Sequence, residues 1–174
     1  MKIQNKKFIY LISPNKIIKN SFYNILNLAL ETKKVKFIIN DNPLLAVKVN
    51  ADGCHLGQKD MNIVNAKKIL KNKIIGVTCH NSVKLAKKAQ INGANYIALG
   101  AFYKTRTKKV IYKAKINTLK KIKKSINLPV VAIGGINEKN YKKLLLNKAD
   151  FLAISSYIWK NKKLKPEQAI KKFI

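Results

Sequence analysis

Seven short apolar runs punctuate this sequence: FIYLIS (8–13), KFIIND (36–41), GCHLG (53–57), IIGVT (74–78), NYIALG (95–100), PVVAIGG (129–135) and DFLAIS (150–155). Each is nearly continuous in apolar residues, the pattern of strands covered on both faces rather than one. The stretches between them carry the helical period. In SVKLAKKAQINGA, Val83, Leu85, Ala86 and Ala89 share one side and the lysines take most of the other. NEKNYKKLLLNKA is similar, and Asn137 or Glu138 is expected to begin that helix as a cap.

A weak repeat strengthens the strand–helix rhythm. VNADGCHLG, NGANYIALG and NKADFLAIS share a helix end, then Ala-Asp or Ala-Asn, then an apolar strand. Asp52, Asn95 and Asp150 are therefore expected where a helix turns into a strand, and Gly93 at a left-handed helix end. Alternating strands and helices make either a doubly wound sheet or a (β/α) barrel. The sheet would normally declare a glycine-rich first turn, and FIYLISPNK has none. A TIM-type barrel is expected, as a single domain over residues 1–174.

Composition removes several classes. Hydrophobic residues make up 47% of the chain, too many for a disordered polycation. No apolar run reaches the roughly 20 residues that span a bilayer, so no membrane association is expected. Two cysteines, Cys54 and Cys79, give no disulfide framework and point to a reducing, cytoplasmic compartment. The formal charge of +30 invites a nucleic-acid partner, but all basic residues except Arg106 are lysine. Reading phosphates or base edges favours the bidentate fork of arginine. The lysines also fall in helix-face pairs such as Lys67-Lys68 and Lys142-Lys143, as on a solvated surface, so no nucleic-acid partner is expected.

In a barrel the chemistry sits at the C-terminal strand ends and the opposite end serves stability. That sorts the acids. Asp52 and Asp150 precede strands and are expected to be structural; Glu31, Glu138 and Glu167 are expected on helices. Asp41 and Asp60 alone follow strands, near the amides Asn40 and Gln58. They could hold Mg²⁺ through oxygen ligands, or each could cap the next helix, and the spacing favours neither.

The other strand ends add anion-binding groups. GAFYKTRTKK supplies Thr105, Thr107 and Lys108; AIGGIN supplies Gly134 and Gly135; AISSY supplies Ser155 and Ser156. Final barrel strands are the usual place for phosphate. The pairs Cys54-His55 and Cys79-His80 suggest zinc, but strand neighbours point to opposite faces, so zinc is not expected. His80, just past its strand, could touch a substrate.

Taken together, IIND, ADGCHLGQKD, IIGVTCHNS, GANYIALGAFYKTRTK, LPVVAIGGIN and ADFLAISS resemble the thiamine phosphate synthases and their relatives, the thiazole tautomerases. The resemblance runs in order from about residue 35 to residue 160. It implies a barrel enzyme, a transferase joining 4-amino-2-methyl-5-pyrimidinylmethyl pyrophosphate to thiazole phosphate with Mg²⁺ as cofactor. It would make Asn40 a pyrophosphate contact, Asp41 and Asp60 the metal ligands, and Thr78 a pyrimidine contact. Thr105, Thr107, Gly135, Ser155 and Ser156 would meet the thiazole phosphate. Lys108, with Thr78, would serve the catalytic step, Lys108 neutralising the leaving pyrophosphate. The tautomerase branch typically lacks the second acid of IIND, the HLGQxD acid and the T-x-T-K run, all present here, so the synthase branch is nearer.

The same resemblance exposes a departure. Family members carry a Gln-x-Arg-x-Lys strand between the first strand and the one ending in IIND, and nothing from residue 14 to residue 35 matches it. Seven strands are counted where a full barrel has eight. The barrel is therefore expected to be shortened to seven strand–helix units, closing, gapping, or completed by another subunit in a homo-oligomer. The alternatives to coupling activity are a tautomerase-like protein that binds thiazole phosphate only and, more remotely, a basic nucleic-acid-binding protein.

Overall fold

A computed structural model of the chain describes residues 9–12, 35–105 and 111–173. It divides into two compact units, Met1–Gly76 and Val77–Ile174. The first contains strands β1 (Ile9–Ile12), β2 (Val35–Asn40) and β3 (Gly53–Leu56), with helices α1 (Pro43–Lys48) and α2 (Ile63–Leu70). Strand β4 (Ile74–His80) begins in this unit and ends in the second.

In the first unit β1 lies parallel to β2, from Ile9 opposite Val35 to Ile12 opposite Ile38. Strand β2 lies parallel to β3, with Asn40 opposite His55. All four residues of β3 are buried, as the continuous apolar run requires of a strand covered on both faces. Phe37, Ile38, Leu56, Leu70 and Ile75 are among the largest side chains removed from solvent here. Each helix starts on an asparagine: Asn42 Oδ1 accepts from Leu45 N–H and Asn62 Oδ1 from Asn65 N–H, both at 2.9 Å.

The second unit continues with α3 (Val83–Ile91), β5 (Tyr96–Leu99), α4 (Ile116–Ser125), β6 (Val130–Ile133), α5 (Tyr141–Leu146), β7 (Phe151–Ala153), α6 (Ser156–Trp159) and α7 (Pro166–Lys171). Strands β5, β6 and β7 are parallel neighbours, with Leu99 opposite Ala132 and Ile133 opposite Ala153. Helix α3 buries Ala86 and Ala89 and exposes Lys84, Lys87 and Lys88, the division its period predicts. Gly93 follows it with φ +86°, and the Ala94 N–H returns to Ala89 O.

All seven apolar runs form strands, and every registered pairing is parallel, so the α/β class stands. Two local expectations change. Strand β4 runs to His80, which ends the strand rather than following it. Helix α5 starts at Tyr141 on Asn140, not at Asn137 or Glu138; Glu138 lies in the preceding turn. Glu31 lies outside the described residues.

The two acids that precede strands do the same job in the two units. Asp52 Oδ2 accepts the main-chain N–H of Phe37 and its Oδ1 accepts Lys36 Nζ, at 2.9 and 2.7 Å. Asp150 Oδ2 accepts both the Val130 N–H and Lys123 Nζ, each at 2.7 Å. Each carboxylate thus ties the start of the preceding strand to the turn that leads into its own.

Candidate functional site

In the first unit two carboxylates stand beyond neighbouring strand ends. Asp41 follows β2 directly with φ +64°, its N–H donating to His55 O at 2.8 Å. Asn40 Nδ2 donates to Asp41 Oδ2 at 3.0 Å. Asp60 lies four residues past β3 and accepts the Gly57 N–H on Oδ2 at 2.6 Å. Both acids are half-buried. Neither caps a helix, since Asn42 and Asn62 hold those positions.

Both carboxylates act on one buried side chain. Burial raises the Cys54 thiol to about 12; a hydrogen bond from the Asn42 main chain opposes the rise, and nearby Asp41 and Asp60 add to it. Two half-buried carboxylates beyond neighbouring strand ends, each held by its own donor, are hard-oxygen groups of the kind Mg²⁺ prefers. Cys79 on β4 is also wholly buried and raised to about 12 by burial. His55 is 7% exposed within β3.

The second unit collects the polar ends of β5, β6 and β7. Gly134 and Gly135 have φ of +95° and +66°. A Cβ on Gly134 would sit 2.3 Å from that of Ala101, and one on Gly135 would sit 2.4 Å from Lys104 O, so only glycine fits against this loop. The carbonyls of Ile133 and Gly134 accept from the N–H groups of Phe102 and Tyr103, both at 3.0 Å. The Gly135 carbonyl accepts from Asn140 Nδ2 at 3.1 Å. A trans peptide points its N–H opposite its C=O, so the N–H groups of Gly134, Gly135 and Ile136 face away from these three donors. None of the three donates to a protein acceptor among the described residues.

Ser155 and Ser156 follow β7, the neighbour of β6, with Ser155 exposed and Ser156 half-buried. Thr105 lies half-buried in the loop whose residues 102 and 103 hold the glycine turn. Thr78 is half-buried within β4. Thr107 and Lys108, with Arg106, lie outside the described residues.

His80 ends β4 with φ +51°, its ring centroid 4.4 Å from that of Tyr112 at 32°. Burial lowers its pKa from the ordinary histidine value. Asn81 Oδ1 accepts the Lys115 N–H at 3.0 Å, and Ala101 exchanges main-chain bonds with Tyr112 and Ala114. Sequence reasoning missed Tyr112, Asn81, Tyr103 and Asn140. Only Asn140 left a signal, as a polar residue just before an apolar helical run.

The sequence profile of the family described as thiamine monophosphate synthase matches residues 11–158. A thiamine-phosphate synthase of Pelagibacter ubique is 58% identical, covering 97% of this chain and 96% of its own length. That match spans 199 positions against the 174 residues of this chain, so the relative carries at least 25 residues without counterpart here. A thiamine-phosphate synthase of Clostridium acetobutylicum is 43% identical over 80% of this chain and 66% of its own. Among solved structures, a thiamine phosphate pyrophosphorylase of Pyrococcus furiosus superposes with a TM-score of 0.77 at 31% identity, over 94% of this chain and 79% of that one. Matched by that family's profile over residues 11–158 and by a relative 58% identical over nearly its whole length, this chain belongs to the thiamine monophosphate synthase family.

Proposed function

We propose that this protein is a thiamine phosphate synthase. It joins the pyrimidine methyl pyrophosphate to the nitrogen of thiazole phosphate and releases pyrophosphate. The observation that carries the reading is the 58% identity to a relative named thiamine-phosphate synthase, over nearly the whole of both chains.

The residues divide the work between the two phosphate groups. Asp41 and Asp60 would hold Mg²⁺, with Asn40 beside Asp41. When bound there, the metal would supply positive charge to offset the departing pyrophosphate. No cage of three or more His, Cys, Asp or Glu side chains exists among the described residues. A two-carboxylate set completed by substrate phosphate oxygens is the usual manner for this ion. Lys108 adds charge on the same leaving group. Thr78 contacts the pyrimidine.

Thiazole phosphate lies against the N–H groups of Gly134, Gly135 and Ile136 and the hydroxyls of Ser155, Ser156, Thr105 and Thr107. Successive main-chain N–H groups in left-handed turns form such anion cradles. The carbon–oxygen bond to pyrophosphate breaks with its electron pair leaving on oxygen. The pyrimidine ring and its amino group spread the positive charge until the thiazole nitrogen attacks. No side-chain nucleophile takes part, and the protein's contribution is charge placement and alignment.

In this reading the two units are parts of one domain, a TIM-type barrel of seven strand–helix units. Two unpaired, buried cysteines suit a reducing, cytoplasmic setting. No helix of the described residues is long and apolar enough to cross a membrane.

The test is a coupled assay with both substrates and Mg²⁺, following thiamine phosphate by fluorescence after oxidation. Product that disappears in Asp41→Ala supports the reading. Absence of product with thiazole phosphate still bound favours the thiazole-binding alternative, for which the absent Gln-x-Arg-x-Lys strand is the specific observation.

A further inference from the structure

We infer that Asn140 is a positioning residue for the phosphate end of the thiazole substrate, acting through the Gly135–Ile136 peptide. The inference rests on the reading above that the glycine turn after β6 receives that phosphate.

Three successive peptides face the proposed phosphate, and their carbonyls are held from behind in two different ways. Those of Ile133 and Gly134 are held by main-chain N–H groups of the 102–103 segment. The third, on Gly135, depends on one side chain, Asn140 Nδ2 at 3.1 Å. The same amide accepts the Asn137 N–H on Oδ1 at 2.9 Å, so it bridges both ends of the turn. Its own carbonyl accepts the Tyr103 hydroxyl at 3.2 Å, which anchors it to the loop after β5.

The consequence follows from peptide planarity. Holding the Gly135 carbonyl toward Asn140 turns the Ile136 N–H the opposite way. Without the amide, that peptide can rotate, because Gly135 accepts a wide range of dihedrals. The Ile136 N–H would then lose its alignment on the anion while the other two keep theirs. Asparagine is needed for this because it offers a donor and an acceptor at once. Aspartate would meet the Gly135 carbonyl with an acceptor and bring a negative charge near the phosphate.

The test uses calorimetric binding of thiazole phosphate and of the unphosphorylated thiazole alcohol to the full chain, its Asn140→Ala variant and its Tyr103→Phe variant. The full chain is expected to prefer the phosphate ester. Asn140→Ala is expected to weaken phosphate-ester binding about tenfold, the worth of one charge-assisted hydrogen bond, and to leave the alcohol unchanged. Tyr103→Phe should shift the same ratio by less. Equal weakening of both ligands by Asn140→Ala, or no change in their ratio in either variant, overturns the positioning role. A full chain without preference for the ester overturns the assignment of the phosphate to this turn, and the inference with it.

Discussion

The main-chain N–H of Gly57 donates to Asp60 Oδ2 at 2.6 Å, closing the turn after β3 and fixing the second rim carboxylate. Because this bond needs only an oxygen acceptor, charge and geometry can be separated there. Asp60→Asn keeps an oxygen for Gly57 and removes the negative charge. Coupling activity is expected to fall about 100-fold, the scale of losing one electrostatic element of an active site, with a higher Mg²⁺ requirement and a melting temperature close to the parent's. Steady-state rates against Mg²⁺ concentration check this. Full activity in Asp60→Asn would remove Asp60 from the metal.

Cys54 reports on the same carboxylates from inside the core. Its thiol is raised to about 12 by burial first, with Asp41 and Asp60 adding to the effect. The unfolded thiol ionises near 9, so the native state holds an extra proton between the two values. The stability tied to the thiol is therefore complete below pH 9 and declines as pH rises toward 12. Denaturant melts at pH 8 to 11, compared with those of Cys54→Ala, should show a steeper alkaline decline in the parent. Neither Cys54 nor Cys79 should react with an alkylating reagent at pH 8 until the chain unfolds.

The paired clamps predict where stability is sensitive. Asp150 holds the buried start of β6 through the Val130 N–H, so Asp150→Ala leaves a strand donor unpaired. The expected loss is about 1–3 kcal/mol. Lys123→Met removes only the partly exposed ion pair and should cost under about 1 kcal/mol. Asp52→Ala should behave like Asp150→Ala, because Asp52 makes the equivalent bond to Phe37. Chemical denaturation of the three variants tests the ranking.

These relationships differ in how far the sequence announces them. The strands were legible because burial on both faces leaves continuous apolar runs, and the two Ala-Asp turns because they repeat. The start of α5 was not, since Asn137 and Asn140 both have the chemistry of a cap. Asn140 spends its amide backwards on Gly135, a choice settled by packing against a loop 37 residues away. The rim acids were legible as residues but not as a non-capping pair. That followed only once Asn42 and Asn62 were seen to hold the helix starts.

His80 offers a probe of the opposite sign. Burial lowers its pKa from 6.5, so the unfolded state binds the proton more readily. The stability linked to its neutral ring is complete above pH 6.5 and lost as pH falls through the lowered value. Proton–carbon NMR of the imidazole groups, with the His80 signals assigned by His80→Asn, should give a midpoint below 6.5. A midpoint at or above that value would mean the ring is solvated rather than packed on Tyr112.

The pairing of β1 with β2 raises the sharpest question about activity. Ile9 stands directly opposite Val35 and Ile12 opposite Ile38, so the ladder leaves no slot between these strands for a Gln-x-Arg-x-Lys strand. The chain is at least 25 residues shorter than its match to the Pelagibacter ubique relative. By the family resemblance, the Arg and Lys of such a strand would add a positive grip on pyrophosphate, which acts on the leaving group far more than on the thiazole. Measured beside that relative, this protein is expected to have a kcat/KM for the pyrimidine pyrophosphate lower by about 100-fold. Its affinity for thiazole phosphate should be within a few-fold. Equal kcat/KM values would show that lysines elsewhere in this strongly basic chain take over the clamp. Alanine substitution of Lys108 in this protein would then separate the cases, costing much if Lys108 is the main grip on pyrophosphate and little if other lysines share it.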